Sequence, residues 1–74
     1  MRITFFGRLR DAAPAGPVPP GVRDTGALRA WLAADRPELL DPSIRIAVND
    51  EIVLGERPLG GDDEIAFLPP MSGG

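Results

Sequence analysis

The sequence predicts an α+β domain of two layers, a mixed sheet of four to five strands covered on one face by one main helix. Three observations predict it. Period-two runs rich in β-branched and aromatic residues stand at 2–9 (RITFFGRL), 44–48 (IRIAV) and 64–68 (EIAFL). Only one segment, 24–36, places apolar residues at helical spacing. Clusters of Gly, Pro, Asn and Asp separate these segments as turns and loops. One helix covers one sheet face, and the first and last strands are expected side by side in the middle of the sheet.

In order along the chain, the first strand puts Ile3 and Phe5 on one face and Thr4 and Phe6 on the other. Residues 12–21, AAPAGPVPPG, read as a loop with at most a short edge strand around Val18 to Val22. Asp24-Thr25 offers an N-cap, after which Leu28, Trp31 and Leu32 form one stripe of a helix that must stop at Arg36, before Pro37. In the connector PELLDPS, Leu39 and Leu40 are expected to plug the end of the core. The next strand points Ile44, Ile46 and Val48 one way and Arg45 and Ala47 the other; Asn49-Asp50 turns the chain into a short strand at Ile52 to Leu54. The last strand, Glu64 to Leu68, ends at Pro69-Pro70, which cannot donate ladder hydrogen bonds. Ile3, Phe5, Ile46, Val48, Ile65 and Phe67 under Leu28, Trp31 and Leu32 make a coherent core.

Composition narrows the function. At 74 residues the chain is one domain, 1–74, with a flexible tail at 69–74; a domain of this size buries only about 60% of its unfolded surface. It contains no cysteine and no histidine, which removes thiol chemistry, imidazole bases and the usual zinc ligands. The acids Asp62, Asp63 and Glu64 read as a solvated turn without an oxygen-ligand loop pattern, so no metal is expected. The net charge is −3 and the arginines are scattered among acids, unlike a nucleic-acid footprint. No apolar run reaches membrane-spanning length and Met1 leads directly into a strand pattern, so no membrane partner and a cytoplasmic location are expected.

The uncovered sheet face carries Phe6 and Leu68, with Ala47 and Ile52 beside them, and an apolar patch next to the root of the tail is a docking surface. The tail itself reads Pro69, Pro70, Met71, Ser72, Gly73, Gly74. Two glycines leave no side chain near a terminal carbonyl, so the tip can thread a narrow channel. Six extended residues span about 20 Å at most. The two prolines limit the freedom that docking would have to remove.

These residues resemble the MoaD group of the ThiS/MoaD sulfur-carrier family. The segment GDDEIAFLPPMSGG is similar to the group's characteristic ending, and FFG near the start, TGALRAWL on the helix and IAVNDEIV before the final turns agree with it. The resemblance covers essentially the whole chain; its one departure is the spacing of GGDD, which affects a turn. It implies a ubiquitin-like β-grasp fold and a role as small subunit of molybdopterin synthase in molybdenum cofactor biosynthesis. In that family a MoeB-like enzyme uses ATP to adenylate the terminal carboxylate, here Gly74, and a sulfur donor protein supplies sulfur to give a thiocarboxylate, a 1-thioglycine. The sulfur then passes to a pterin precursor within a MoaE-like large subunit, in an assembly of two small and two large subunits. No cofactor is bound by the carrier, and catalytic groups belong to its partners. The resemblance also assigns partner contacts to Phe6, Ile52 and Leu68. Thiamine-type carriers of the ThiS kind and ubiquitin-like modifiers joined through their terminal glycine are the alternatives; the former usually lack the two prolines.

The chemistry of a carboxyl terminus agrees with that route. A terminal carboxyl has a pKa of about 3.5, so at neutral pH it is a resonance-stabilised anion and a poor electrophile. It must be activated before a sulfur nucleophile can attack it.

Overall fold

The computed structural model describes residues 1–10 and 17–70. The strands are β1 (Arg2–Phe5), β2 (Arg45–Val48), β3 (Glu51–Val53) and β4 (Glu64–Leu68), and the helix α1 is Thr25–Ala33. They form one mixed sheet in the order β1-β4-β2-β3, in which β1 runs parallel to β4 and the other pairs are antiparallel. The expected adjacency of first and last strands is present, but β1 lies at the edge of the sheet among the described residues. The residues at 17–22 form no strand beside it. Pro17, Pro19 and Pro20 cannot donate to a ladder, and the segment turns back through a bond from the Val22 N–H to the Pro19 carbonyl.

Alternation and register build the core together. Ile3 faces Ile65 and Phe5 faces Phe67 across the parallel pair, while Ile46 faces Phe67 and Val48 faces Ile65 across the antiparallel one. All lie on the face that meets Leu28, Leu32 and Ala33 of α1. Phe67 is fully buried at the centre, and its ring stacks on Phe5 with centroids 5.2 Å apart. Trp31 is only partly buried and packs against this cluster from its margin.

Local chemistry closes the ends of each element. The Asp24 carboxylate accepts from the Ala27 N–H at 2.7 Å, the expected N-cap. Helix α1 ends at Ala33, before the expected Arg36, because the Asp35 and Arg36 N–H groups both donate to the Leu32 carbonyl and close a tight turn. The connector forms a 3-10 turn at Pro37–Leu40 that sends Leu39 inward. Leu40 points outward and is 58% exposed, contrary to the expectation that both leucines plug the core. Arg29 straps this connector to the helix, donating to the carbonyls of Leu39 (3.1 Å), Asp41 (3.2 Å) and Ile44 (2.8 Å). Partial burial of the guanidinium lowers its pKa from the usual arginine value.

The β2–β3 hairpin has a two-residue loop, since Val48 faces Glu51. Asn49 (φ 51°) and Asp50 (φ 70°) both take the left-handed conformation that a tight hairpin of this hand requires. This places β3 one residue earlier than the expected 52–54. Asn49 also ties the hairpin to β4: its backbone N–H donates to the Glu64 carbonyl (2.8 Å), and its side-chain oxygen accepts from the Glu64 N–H (3.0 Å). Its amide nitrogen donates to Asp63 at 2.9 Å, and the other Asp63 oxygen accepts from the Gly60 N–H at 2.8 Å.

Those two donors, the Gly60 N–H first and the Asn49 amide second, hold the Asp63 carboxyl below the ordinary aspartate value. A carboxylate whose folded pKa is depressed contributes stability that is present above the unfolded pKa and is lost as pH falls through the folded one. The expected outcome is that acid denaturation begins as pH drops below the ordinary aspartate value of 3.8. Asp63→Asn should lower stability at neutral pH and flatten this acid limb, which chemical denaturation at a series of pH values will read.

Candidate functional site

The face of the sheet turned away from α1 is set by the same register. Thr4, Ala66, Ala47 and Ile52 stand in one row across all four strands, and Leu68 faces Arg45 in the next. Extending the parallel register by one residue puts Phe6 beside Leu68, and the Phe6 N–H donates to the Phe67 carbonyl at 3.1 Å. The chain alternates faces here, so Phe5 is 8% exposed inside the core and Phe6, its neighbour, is 47% exposed on the open face.

At the tail end of this face lies an open groove of about 770 Å³. Phe6 and Leu68, both expected on the open face, line it together with Pro69 and Pro70 at the root of the tail, and are joined by Gly7, Ser43 and Arg45. Ile52 is half-exposed on the same face but lies two strands from Leu68 and does not line the groove. Ala47 is buried, covered between its cross-strand neighbours Ala66 and Ile52, so it adds little surface to the patch. Met71, Ser72, Gly73 and Gly74 lie outside the described residues.

Arg45, Ser43 and Gly7 were not singled out by sequence reasoning. Period two already placed Arg45 on the face of Phe6 and Leu68, but only the register sets it directly opposite Leu68. Ser43 is held at the lip by Asp41, whose carboxylate accepts from the Ser43 N–H and hydroxyl, each at 2.9 Å. These two bonds, backbone first, hold the Asp41 carboxyl below the ordinary aspartate value. Arg45 forms no ion pair with any described residue, so the groove presents an apolar floor with one guanidinium at its wall. Among the described residues no group of three or more acids could hold a metal ion, and no helix is long and apolar enough to cross a membrane.

The sequence that builds this one-helix mixed sheet matches a known family over nearly its whole length. A model described as the ThiS family covers residues 3–74. The chain belongs to the ThiS family. Its four-stranded mixed sheet under one helix is the ubiquitin-like β-grasp of that family. Among curated relatives, the molybdopterin synthase sulfur carrier subunit of Escherichia coli (strain K12) is 32% identical over 80 residues, covering 100% of this chain and 99% of the relative. The molybdopterin synthase sulfur carrier subunit of Mycobacterium tuberculosis (strain ATCC 25618 / H37Rv) is 33% identical over 81 residues, covering 100% and 96%.

The two adjacent phenylalanines test the assignment of faces. Phe5→Ala should cost about 3–5 kcal/mol, as a large buried side chain removed from a packed core does. Phe6→Ala should change stability by no more than about 0.5 kcal/mol, as a surface substitution does. Denaturant unfolding of both variants will read the difference.

Proposed function

We propose that this chain is the sulfur-carrier subunit of a molybdopterin synthase. The observation that carries the reading is the full-length similarity to two relatives of that name, each matched over at least 96% of its own length. The structure supports it by ending β4 in two prolines beside an apolar groove, a layout that lets a body dock while its tail reaches into a partner.

In this reading the carboxylate of Gly74 attacks the α-phosphorus of ATP in the active site of a MoeB-like enzyme, releasing pyrophosphate. Hydrosulfide supplied by a donor protein then attacks the acyl carbon and AMP leaves, giving a thiocarboxylate that a MoaE-like large subunit directs at its pterin substrate. Gly73 and Gly74 leave the reacting carbonyl open to approach. Pro69 and Pro70 stiffen the root, and Met71 and Ser72 complete the length that the channel must hold. Phe6 and Leu68 dock the body at the groove, and Ile52 extends the contact across the open face. Arg45 sits at the groove wall, where a carboxylate of a partner would meet it. The fold then serves as a handle, and the acids and bases of the reaction are supplied by the partners.

Incubation with ATP, a MoeB-like enzyme and a sulfur donor should raise the intact mass by the difference between sulfur and oxygen, localised to Gly74. Deleting Gly73 and Gly74 should leave the melting temperature unchanged and abolish the gain; sulfur transfer by the truncated protein would sink the proposal. Phe6→Ala and Leu68→Ala should each weaken binding to the activating enzyme by about tenfold or more, the loss typical of a central apolar contact, as read by titration calorimetry.

A further inference from the structure

The parallel ladder between β1 and β4 stops at a specific bond. Phe6 donates to the Phe67 carbonyl, and the next bond of a parallel pattern would run from the N–H of residue 69 to the Phe6 carbonyl. Pro69 has no N–H. The Phe6 carbonyl accepts instead from the Leu9 N–H at 3.0 Å, closing a 3-10 turn over Gly7–Leu9 that folds the chain toward Pro69. Gly7 begins that turn with φ +57°, in the left-handed region that favours glycine.

The same glycine is where the two segments come closest. A Cβ placed on Gly7 would stand 2.9 Å from Cγ of Pro69 and 3.7 Å from Cδ, so the ring would have to move. Pucker at Cγ is the ring's one internal adjustment; its Cδ is bonded to the backbone nitrogen, so any displacement of the ring beyond that displaces the chain.

We infer that Gly7 is a positioning residue for the tail. Its bare left-handed backbone is the seat on which the Pro69 ring rests, and this contact sets the direction in which Pro70 leaves the sheet. The consequence for sulfur loading rests on the sulfur-carrier reading, whereas the seat itself does not. Pro69 is the root of the tail, so a shift of the chain there is a shift of the point from which the reacting end is presented. A misplacement of about 1 Å is enough to cost a reaction a hundredfold.

A double-mutant cycle between Gly7→Ala and Pro69→Ala tests this, with two readouts. The first needs no partner: one-bond Cα–Hα residual dipolar couplings at Pro69 and Pro70, referred to those of residues 65–67. Gly7→Ala should change the couplings at Pro69 and Pro70 and leave 65–67 unaltered. The second is pyrophosphate release by a MoeB-like enzyme, with the carrier as varied substrate. Gly7→Ala should lower kcat by about tenfold or more and raise KM by less than Phe6→Ala does, because it adds one methyl at the groove wall and removes neither docking side chain. In the Pro69→Ala background, which lacks Cγ, the same substitution should have less than about a twofold effect.

An equal loss in both backgrounds would place the effect in backbone strain at residue 7 and overturn the inference, as would unchanged couplings. If Gly7→Ala does not fold, Pro69→Ala breaks the same contact from the other side. It should cost more in kcat and in coupling magnitude than Pro70→Ala, which loses similar stiffness without touching Gly7; equal losses would overturn the seat. Failure of the unaltered protein to release pyrophosphate would count against the sulfur-carrier reading, and the dipolar couplings would then decide the seat by themselves.

Discussion

The rest of the structure depends on the parallel pairing of β1 with β4. Parallel neighbours cannot be joined by a tight turn, so the intervening chain must cross over before the last strand returns beside the first. Here that crossover contains α1, β2 and β3. The helix covers one face of the sheet the crossover completes, and the hairpin supplies its far half. Parallel strands also leave the sheet at the same end. The turn after β1 and the tail after β4 therefore meet, which puts Phe6, Gly7, Leu68, Pro69 and Pro70 around one groove.

The stacked pair Phe5–Phe67 sits where that pairing meets the core. Apolar burial, to which these rings and the aliphatic side chains around them contribute, is the main stabilising term, worth about 25 cal/mol per Å² removed from water. The polar contacts act differently. Arg29 on three carbonyls, Thr25 accepting from the Arg57 N–H, and Asn49 with Asp63 at the start of β4 each satisfy backbone groups that irregular segments leave without ladder partners. They fix the loops that frame the sheet, and with them the register that decides which side chains reach the open face. The ion pairs Arg2–Glu64, Arg36–Glu38 and Arg57–Glu51 are exposed and contribute little by comparison.

Core and docking face are divided one residue at a time. Phe5 and Phe6, Phe67 and Leu68, Ile46 and Ala47 are sequence neighbours that the pleat sends to opposite sides. The covered side holds the fold and the open side keeps Phe6 exposed. Such a division suits the proposed role, in which the body stays folded while its surface meets a partner.

The sequence by itself determined the last strand, the start of the first (which ends at Phe5 and passes into a 3-10 turn at Gly7–Leu9 instead of running to Leu9), the Asp24 cap, the stripe of Leu28 and Leu32, the Asn49-Asp50 turn and the alternation that separates Phe5 from Phe6. Each is written in local spacing or in the chemistry of one residue type, which needs no distant partner to be read. The reading of PPMSGG as a tail rests on its glycines and prolines, and Met71, Ser72, Gly73 and Gly74 lie outside the described residues. What only the tertiary structure decided was long-range: β1 at an edge of the described sheet, Leu40 turned outward while Leu39 turns in, Ala47 covered, and Ile52 two strands from Leu68. The same holds for Arg45 opposite Leu68 and Gly7 against Pro69. These follow from register and from which segments pack together, and residues more than sixty apart in the chain become neighbours only when the sheet has formed.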